Sequence, residues 1–300
     1  MSWISPSLRA RLEAEGTTLY RIHTAPGGTV ERFGGDVLLS VEREADAPAL
    51  LEAYRAWAGR EGFAAARVFR KILQAKPGPE PYALLEGDPA ADRRTVALEN
   101  GLSYRIDFGA GYSCGLFLDQ RENRRFLREL GAATVFNGFA YTCAFSVAAA
   151  AGGAETVSVD VAPKALAWGK ENFALNGLDP QAHRFWPDDV RESLHRQERR
   201  NSRFAAVILD PPSFARTPEG KVFRVQDELP EMAAQALGLL ETGGHLLLST
   251  NLSTLTRNDL ADWAETAARQ AGRKVKPLPV PAQEDLPPGE GARTLWVRAD

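Results

Sequence analysis

The stretch Thr134–Asp160 reads TVFNGFAYTCAFSVAAAAGGAETVSVD, and its order of residue types decides the fold. Val135 and Phe136 run into Asn137-Gly138, small residues follow as far as Gly152-Gly153, and Thr156-Val157-Ser158-Val159 is a short β-branched run. An apolar run, a turn, a small-residue helix stopped by glycine and a second strand make a βαβ unit. Asp160 closes it 22 residues after Gly138, the separation at which such units place a carboxylate against a pair of ribose hydroxyls. The spacing predicts an adenosine-containing ligand.

The turn narrows the choice. Pyrophosphate cofactors want several glycines there, so that backbone can close on the phosphates; NGFAYT offers Gly138 and otherwise polar and aromatic groups. S-adenosylmethionine carries a sulfonium and an amino-acid tail instead of phosphates, and it fits this turn. Asn137, Gly138, Phe139, Tyr141, Thr142 and Asp160 are the candidate cofactor residues, set against the plainer reading of an α/β turn without ligand.

Outward from this unit the chain alternates strand and helix. Downstream, Pro163 opens a helix that stops at Asn176-Gly177, followed by strand 183–186, Asp188-Asp189, helix 190–200 and strand 204–209. That strand stops at Asp210-Pro211-Pro212. Helix 227–240, strand 245–249, helix 258–271 and strands 274–280 and 293–298 complete the series. Upstream, Asp119 reads as the N-cap of a helix 120–130. Residues 82–119 alternate as antiparallel strands, and residues 1–80 hold strands 19–23, 36–41 and 64–72 with a helix 47–60, ending in a proline-rich connector, 76–81. The expected organisation is a small α+β domain over 1–80, a β-hairpin connector over 81–119 and a Rossmann-like α/β domain over 120–300.

At 300 residues and 44% hydrophobic content the chain can bury its own cores. Cys114, Cys143 and four scattered histidines offer no metal-ligand spacing and no disulfide framework. No apolar run reaches membrane-spanning length, and MSWISPSLRA lacks the pattern of a signal peptide, so a cytoplasmic protein without membrane contact is expected. A net charge of −3 gives no global basic field, which leaves any nucleic-acid contact to local groups: Arg67, Arg70, Lys71; Arg121, Arg124, Arg125, Arg128; Arg196, Arg199, Arg200, Arg203. The helix 120–130 is the expected RNA surface.

Asp160, Asp188, Asp189 and Asp210 each follow a strand of the alternation, so one crevice beyond the strands' carboxyl ends can collect them. Asp160 suits the ribose, and Asp188 or Asp189 an adenine amine. In Asp210-Pro211-Pro212-Ser213-Phe214 the prolines stiffen the backbone and donate nothing, so their carbonyls and the Asp210 carboxylate can face substrate N–H groups while Phe214 stacks on a flat ring. Asp210, Pro211, Pro212 and Phe214 are the candidate catalytic residues.

With GLFLDQRENRRFL (115–127), the opening βαβ stretch, ENFALNGLD (171–179) and DPPSF (210–214), the chain resembles the class I S-adenosylmethionine-dependent methyltransferases. More closely, it resembles the bacterial 23S ribosomal RNA large-subunit methyltransferase family that includes the cytosine-5 enzyme and the fused guanine N7 enzyme. The resemblance implies a seven-stranded sheet with an antiparallel last strand, cofactor contacts from Asp119, Gln120 and Arg121, and ribosomal RNA as partner. The chain departs from the family pattern at Ser113-Cys114-Gly115, where Lys-Thr-Gly is common, and at Cys143-Ala144, where Gly-Gly is common. Too little sequence precedes Tyr20 for the family's PUA-like domain, so modest affinity for naked RNA is expected.

Cytosine C5 reacts only after a thiolate adds to C6, and cytosine-5 members carry that cysteine after the fifth strand, where this chain has Ser249-Thr250-Asn251. A base nitrogen in ribosomal RNA is therefore the expected acceptor. The alternatives are a protein or small-molecule acceptor, a methyltransferase-fold binding module without catalysis, and a nucleotide-dependent oxidoreductase, which the single Gly138 disfavours.

Overall fold

The computed structural model describes residues 3–73, 81–111, 113–216, 222–280 and 282–300; residues 76–80 of the expected connector lie outside these. The chain forms two compact units, Met1–Arg121 with Gln283–Gly289, and Glu122–Ala282 with Glu290–Asp300.

In the first unit, α1 (Pro6–Ala14) starts where the Ser5 hydroxyl accepts the Leu8 N–H at 3.1 Å. Strands β1 (Leu19–Ala25), β2 (Gly28–Phe33) and β3 (Asp36–Val41) form an antiparallel meander, α2 (Ala47–Glu61) crosses to β4 (Arg67–Ile72) parallel to β3, and β5 (Tyr82–Glu86) adds antiparallel to β4. Leu50, Tyr54 and Trp57 recur at helical spacing on α2, and they pack on Val30, Val37, Leu39 and Val68. The hairpin β6 (Arg94–Glu99) and β7 (Leu102–Asp107) belongs to the same unit. Helix α1 and strand β2 are additions to the sequence reading: the Glu31-Arg32 pair interrupts the apolar signal of β2, and Arg21 makes Glu31 buriable by bonding its carboxylate at 3.0 Å.

The second unit runs α3 (Arg121–Glu129, its first residue still in the first unit), β8 (Thr134–Gly138), α4 (Ala144–Ala151), β9 (Glu155–Asp160), α5 (Pro163–Leu175), β10 (Arg184–Pro187), α6 (Val190–Arg199) and β11 (Phe204–Leu209). A short antiparallel pair, β12 (Phe214–Arg216) and β13 (Val222–Arg224), precedes α7 (Val225–Gly238), β14 (Leu240–Thr250), α8 (Arg257–Gln270), β15 (Val275–Leu278) and β16 (Arg293–Ala299). Seven strands form one sheet in the order β10-β9-β8-β11-β14-β16-β15, with β16 antiparallel to both its neighbours. Alternate residues face opposite layers: Phe136, Val207, Leu209, Leu246 and Leu248 pack with α6, α7 and α8, while Val135, Ala206, Ile208 and Leu247 pack with Leu127 of α3 and Phe145 of α4. Burial on both faces is why these strands read as unbroken apolar runs.

Two expectations at α3 are corrected. A 3₁₀ turn, Leu118–Gln120, leads into the helix, so Asp119 lies in that turn and is not the helix N-cap. The helix also offers less free charge than expected: Arg124 is 3% exposed with its guanidinium over the Phe145 ring, and Arg125, partly exposed, is paired with Glu122 at 2.9 Å. The four polar residues Arg121 to Arg124 are all buried, which leaves that basic run little charge to offer a polyanion.

Candidate functional site

Register brings the strand ends of the second unit to one edge. Gly138 pairs with Val159 and with Leu209, Asp160 with Pro187, and Leu209 with Leu248. The turn after β8, Asp160-Val161 after β9, Asp188-Asp189 after β10 and Asp210 after β11 therefore gather at the carboxyl edge of the parallel strands, as the order of the sheet requires. The Asp188 N–H donates to the Asp160 carbonyl at 3.1 Å, which ties the second and third of these ends together.

The β8–α4 turn is held in an unusual conformation. Phe139, Tyr141 and Cys143 have φ of 59°, 47° and 60°, three left-handed residues in five and none of them glycine. L-residues bear roughly 1–2 kcal/mol each for this region, so something around the turn must hold it. Asp160 does: its Oδ2 accepts the Tyr141 N–H at 2.9 Å and its Oδ1 accepts the Ala162 N–H at 2.9 Å. The Asn172 amide donates to the Thr142 carbonyl at 2.9 Å, and Cys143 packs so closely on α5 that a side chain at Gly169 would strike its sulfur. Gly138 is required by packing as well, since a Cβ there would lie 2.7 Å from Val190 Cγ1. Asn137 points inward, its amide donating to Ser146 Oγ at 2.9 Å, and Ser146 continues to Ser158 at 2.8 Å. Thr142 is buried, whereas Phe139 and Tyr141 keep partial exposure, with their rings 5.5 Å from Phe223 and 6.3 Å from Trp168.

The acids differ in how far they are already committed. Burial raises the Asp160 pKa above the usual carboxylate value, and the two backbone N–H groups only partly offset it. Asp189 is the N-cap of α6, accepting the Arg191 N–H at 2.8 Å, and the Arg191 guanidinium, which also reaches Glu228, holds its pKa down. Asp188 takes the Ser193 hydroxyl at 2.6 Å and Arg196 at 2.8 Å, both on Oδ2. Asp210 is partly exposed, Pro211 buried and Pro212 exposed, and the Ser213 carbonyl accepts the Val225 N–H at 3.3 Å. Phe214 opens β12, and its ring lies outside the described residues. The sequence reading missed Val161: it is 59% exposed beside Asp160, a bare apolar surface whose only signal was its place after the acid.

Asp119, Gln120 and Arg121 belong to the first unit. Asp119 is partly exposed, Gln120 is buried, and Arg121, 1% exposed, is paired through Nη2 with Asp285 Oδ1 while its Nη1 donates to Asp285 Oδ2 and the Leu19 carbonyl, each at 3.2 Å. Asp285 also accepts the Arg21 N–H at 2.8 Å. Both cysteines are buried, and burial pushes each thiol up to about 12. Among the described residues no group of His, Cys, Asp and Glu could hold a metal, and no helix is long and apolar enough to cross a membrane.

Comparison with known proteins adds the family. A Bacillus subtilis protein provisionally named as a ribosomal RNA large subunit methyltransferase is 38% identical over 182 residues, 60% of this chain and 46% of that protein. A ribosomal RNA large subunit methyltransferase of Deinococcus radiodurans is 31% identical over 259 residues, 84% of this chain and 63% of its own. The chain thus spans about half to two thirds of the length of these curated relatives. Among solved structures, SMU.776, a provisionally assigned methyltransferase complexed with SAH, superposes with a TM-score of 0.81 at 29% identity, covering 97% of this chain and 78% of that one. The model of a family described as S-adenosylmethionine-dependent methyltransferase matches residues 35–298, and this chain, which gathers the turn, the acid and the Asp-Pro-Pro element on one sheet edge, belongs to that family.

Proposed function

We propose that this chain methylates a base nitrogen in RNA, with large-subunit ribosomal RNA as the acceptor. The observation that carries the reading is Asp160. Each of its oxygens takes one backbone N–H, and an ionised carboxylate offers about four lone-pair directions, so both oxygens can still accept a ribose hydroxyl. Val161 beside it offers apolar cover for a purine face, and Asp188 Oδ1, without a protein partner among the described residues, can accept an amine. These residues fit S-adenosylmethionine. When bound, it supplies a methyl group on a positively charged sulfur.

The rest is done by the chain. The strained turn, fixed by Asp160 and Asn172, presents its backbone in advance of binding, so ordering is not left to the reaction. Asp210 and the Pro211 carbonyl would accept the N–H bonds of a flipped-out base, hold its nitrogen lone pair toward the methyl, and leave the Asp210 carboxylate to take the proton the nitrogen gives up. Nitrogen rather than carbon is favoured because Cys114 and Cys143 are buried thiols, and β14 ends in buried Ser249 and Thr250 with Asn251 after them. The names of the Bacillus and Deinococcus relatives support ribosomal RNA.

The test is mass spectrometry of ribosomal RNA from a deletion strain complemented with wild type or with Asp210→Ala. One methylated nucleotide should vanish on deletion and return with wild type, and purified Asp210→Ala should turn over on the order of 100-fold more slowly if its contact forms in the transition state. Unchanged RNA modification would end the RNA reading. A covalent adduct trapped on 5-fluorocytosine RNA would end the nitrogen assignment.

A further inference from the structure

The three basic groups visible in the sequence meet different fates. In the first, Arg67 is bidentate on Asp36 at 2.6 and 3.0 Å and Arg70 is paired with Glu44. In the second, Arg121 is taken by Asp285 and Arg125 by Glu122. In the third, Arg196 goes to Asp188, but Arg199, Arg200 and Arg203 are exposed and make no ion pair among the described residues.

The fold adds to that remainder. Helix α6 starts from Asp189 at the carboxyl edge of the sheet and runs back, so its last turn, with Arg199 and Arg200, reaches the opposite edge, where Arg203 leads into β11. Phe204 pairs there with Leu240, His245 with Arg298 and Arg298 with Lys276, which sets Arg298 and Lys276 along the same edge. Arg273 is fixed among them: its guanidinium donates to the carbonyls of Leu237, Leu240 and Glu241 at 2.7 to 2.8 Å and to the backbone oxygen of Asp300 at 2.9 and 3.0 Å, and Arg298 Nε reaches the Gly243 carbonyl at 3.4 Å. Burial and the neighbouring Arg203 charge lower the Arg273 pKa, with Asp300 as the partial offset, so like charges are held together here.

Cations in the last turn of a helix favour its dipole, which accounts for Arg199 and Arg200. It does not account for Arg203, Arg273 and Arg298, which come from three other segments and converge on the start of β14, Leu240 to Gly244. In a chain of net charge −3, Arg200, Arg203 and Arg298 gathered exposed at one edge, with Asp300 only a partial offset beside them, point to an anion supplied from outside.

We propose that the amino edge of the second unit's sheet, with Arg200, Arg203 and Arg298 as its exposed contacts, binds the phosphate backbone of a structured RNA acceptor. This rests on RNA being the substrate. The strands between the two edges are six residues long in β9 and β11, about 20 Å at the usual rise, so a contact here reads a part of the acceptor remote from the methylated base. Guanidinium forks without carboxylate partners suit phosphate oxygens, and such contacts carry no base sequence. The edge would choose acceptors by size and shape.

The experiment compares wild type with Arg200→Glu/Arg203→Glu/Arg298→Glu and with the same three positions changed to Lys. Each is assayed for binding of protein-free large-subunit ribosomal RNA across a salt series, for methylation of the full RNA, and for S-adenosylhomocysteine affinity as a check on folding. The Glu variant should bind the full RNA at least about tenfold more weakly and lose about two to three from the slope of log K against log salt. Its KM should rise with kcat little changed, S-adenosylhomocysteine should bind as before, and the Lys variant should restore RNA binding. Equal RNA affinity and salt slope in wild type and Glu variant, with wild type methylating RNA, would overturn the edge alone. Absence of salt-dependent RNA binding by wild type would overturn both the edge and the RNA reading.

Discussion

Two carboxylates, Asp160 in the second unit and Asp285 in the first, look alike in sequence and have opposite situations. Asp285 is closed: a buried guanidinium and a backbone N–H satisfy it. Asp160 is half satisfied by two N–H groups, is raised in pKa by burial, and lies beside exposed Val161. A charge whose partners are complete holds a fold together, whereas one with lone pairs to spare at a strand end is prepared for a ligand.

The largest expected effect tests the closed side. Arg121→Met leaves Asp285 buried without its cation and should cost about 3 to 5 kcal/mol, whereas Arg121→Met/Asp285→Leu should cost much less, because no uncompensated charge remains. Hydrogen exchange in β1 and β2 would register the loss locally. If Arg121→Met kept native protection and lost only S-adenosylhomocysteine binding, Arg121 would be a cofactor residue, as the resemblance implied, and the contrast with Asp160 would fail.

The open side predicts a smaller and pH-linked effect. Asp160→Asn should weaken S-adenosylhomocysteine by about 1.5 to 3 kcal/mol, the worth of hydrogen bonds to a charged acceptor. The sign with pH follows from the raised pKa. Cofactor affinity in wild type should be full above the folded-state pKa and fall as pH drops through it, beginning at higher pH than an ordinary aspartate would allow. Fold stability from this group runs the other way: burial favours the protonated form, so its contribution is present below the unfolded pKa and is lost as pH rises through the folded one. Calorimetry over pH 4 to 7 should show the slope in wild type and a flat profile in the Asn variant; parallel profiles would move the titration to another group.

Much of this was legible in the sequence because it is local. The βαβ stretch, the Asn176-Gly177 stop and the apolar runs of β11 and β14 announce themselves by residue order, and they place Gly138, Asp160, Asp188 and Asp210 on one edge. What stayed hidden depends on pairing over distance or on backbone. Arg121 and Asp285 are 164 residues apart, so nothing in the residue order around Arg121 announces the buried ion pair it closes. Arg124 read as surface charge because only the fold brings Phe145 under it. Left-handed residues are legible when they are glycine, and at Phe139, Tyr141 and Cys143 the side chains conceal them.

That concealment gives the smallest effect, and it sharpens the contrast by asking whether the strain is held for function. In most positions Gly in place of a larger residue costs stability through backbone freedom, about 0.5–1 kcal/mol against Ala. At Tyr141, with φ of 47°, Gly also removes a left-handed penalty of roughly 1–2 kcal/mol. The two nearly cancel, so Tyr141→Gly should unfold in urea within about 1 kcal/mol of wild type once the lost ring contact with Trp168 is counted, while Tyr141→Val, β-branched and intolerant of this φ, should be clearly less stable. Cofactor affinity separates the causes. If Asp160 fixes the turn by accepting the residue-141 N–H, the Gly variant keeps that bond and should lose only the affinity its side chain contributed. A Gly variant that folds normally and binds no S-adenosylhomocysteine would mean that the turn needs the side chain to stay in register, and that Asp160 alone does not hold it.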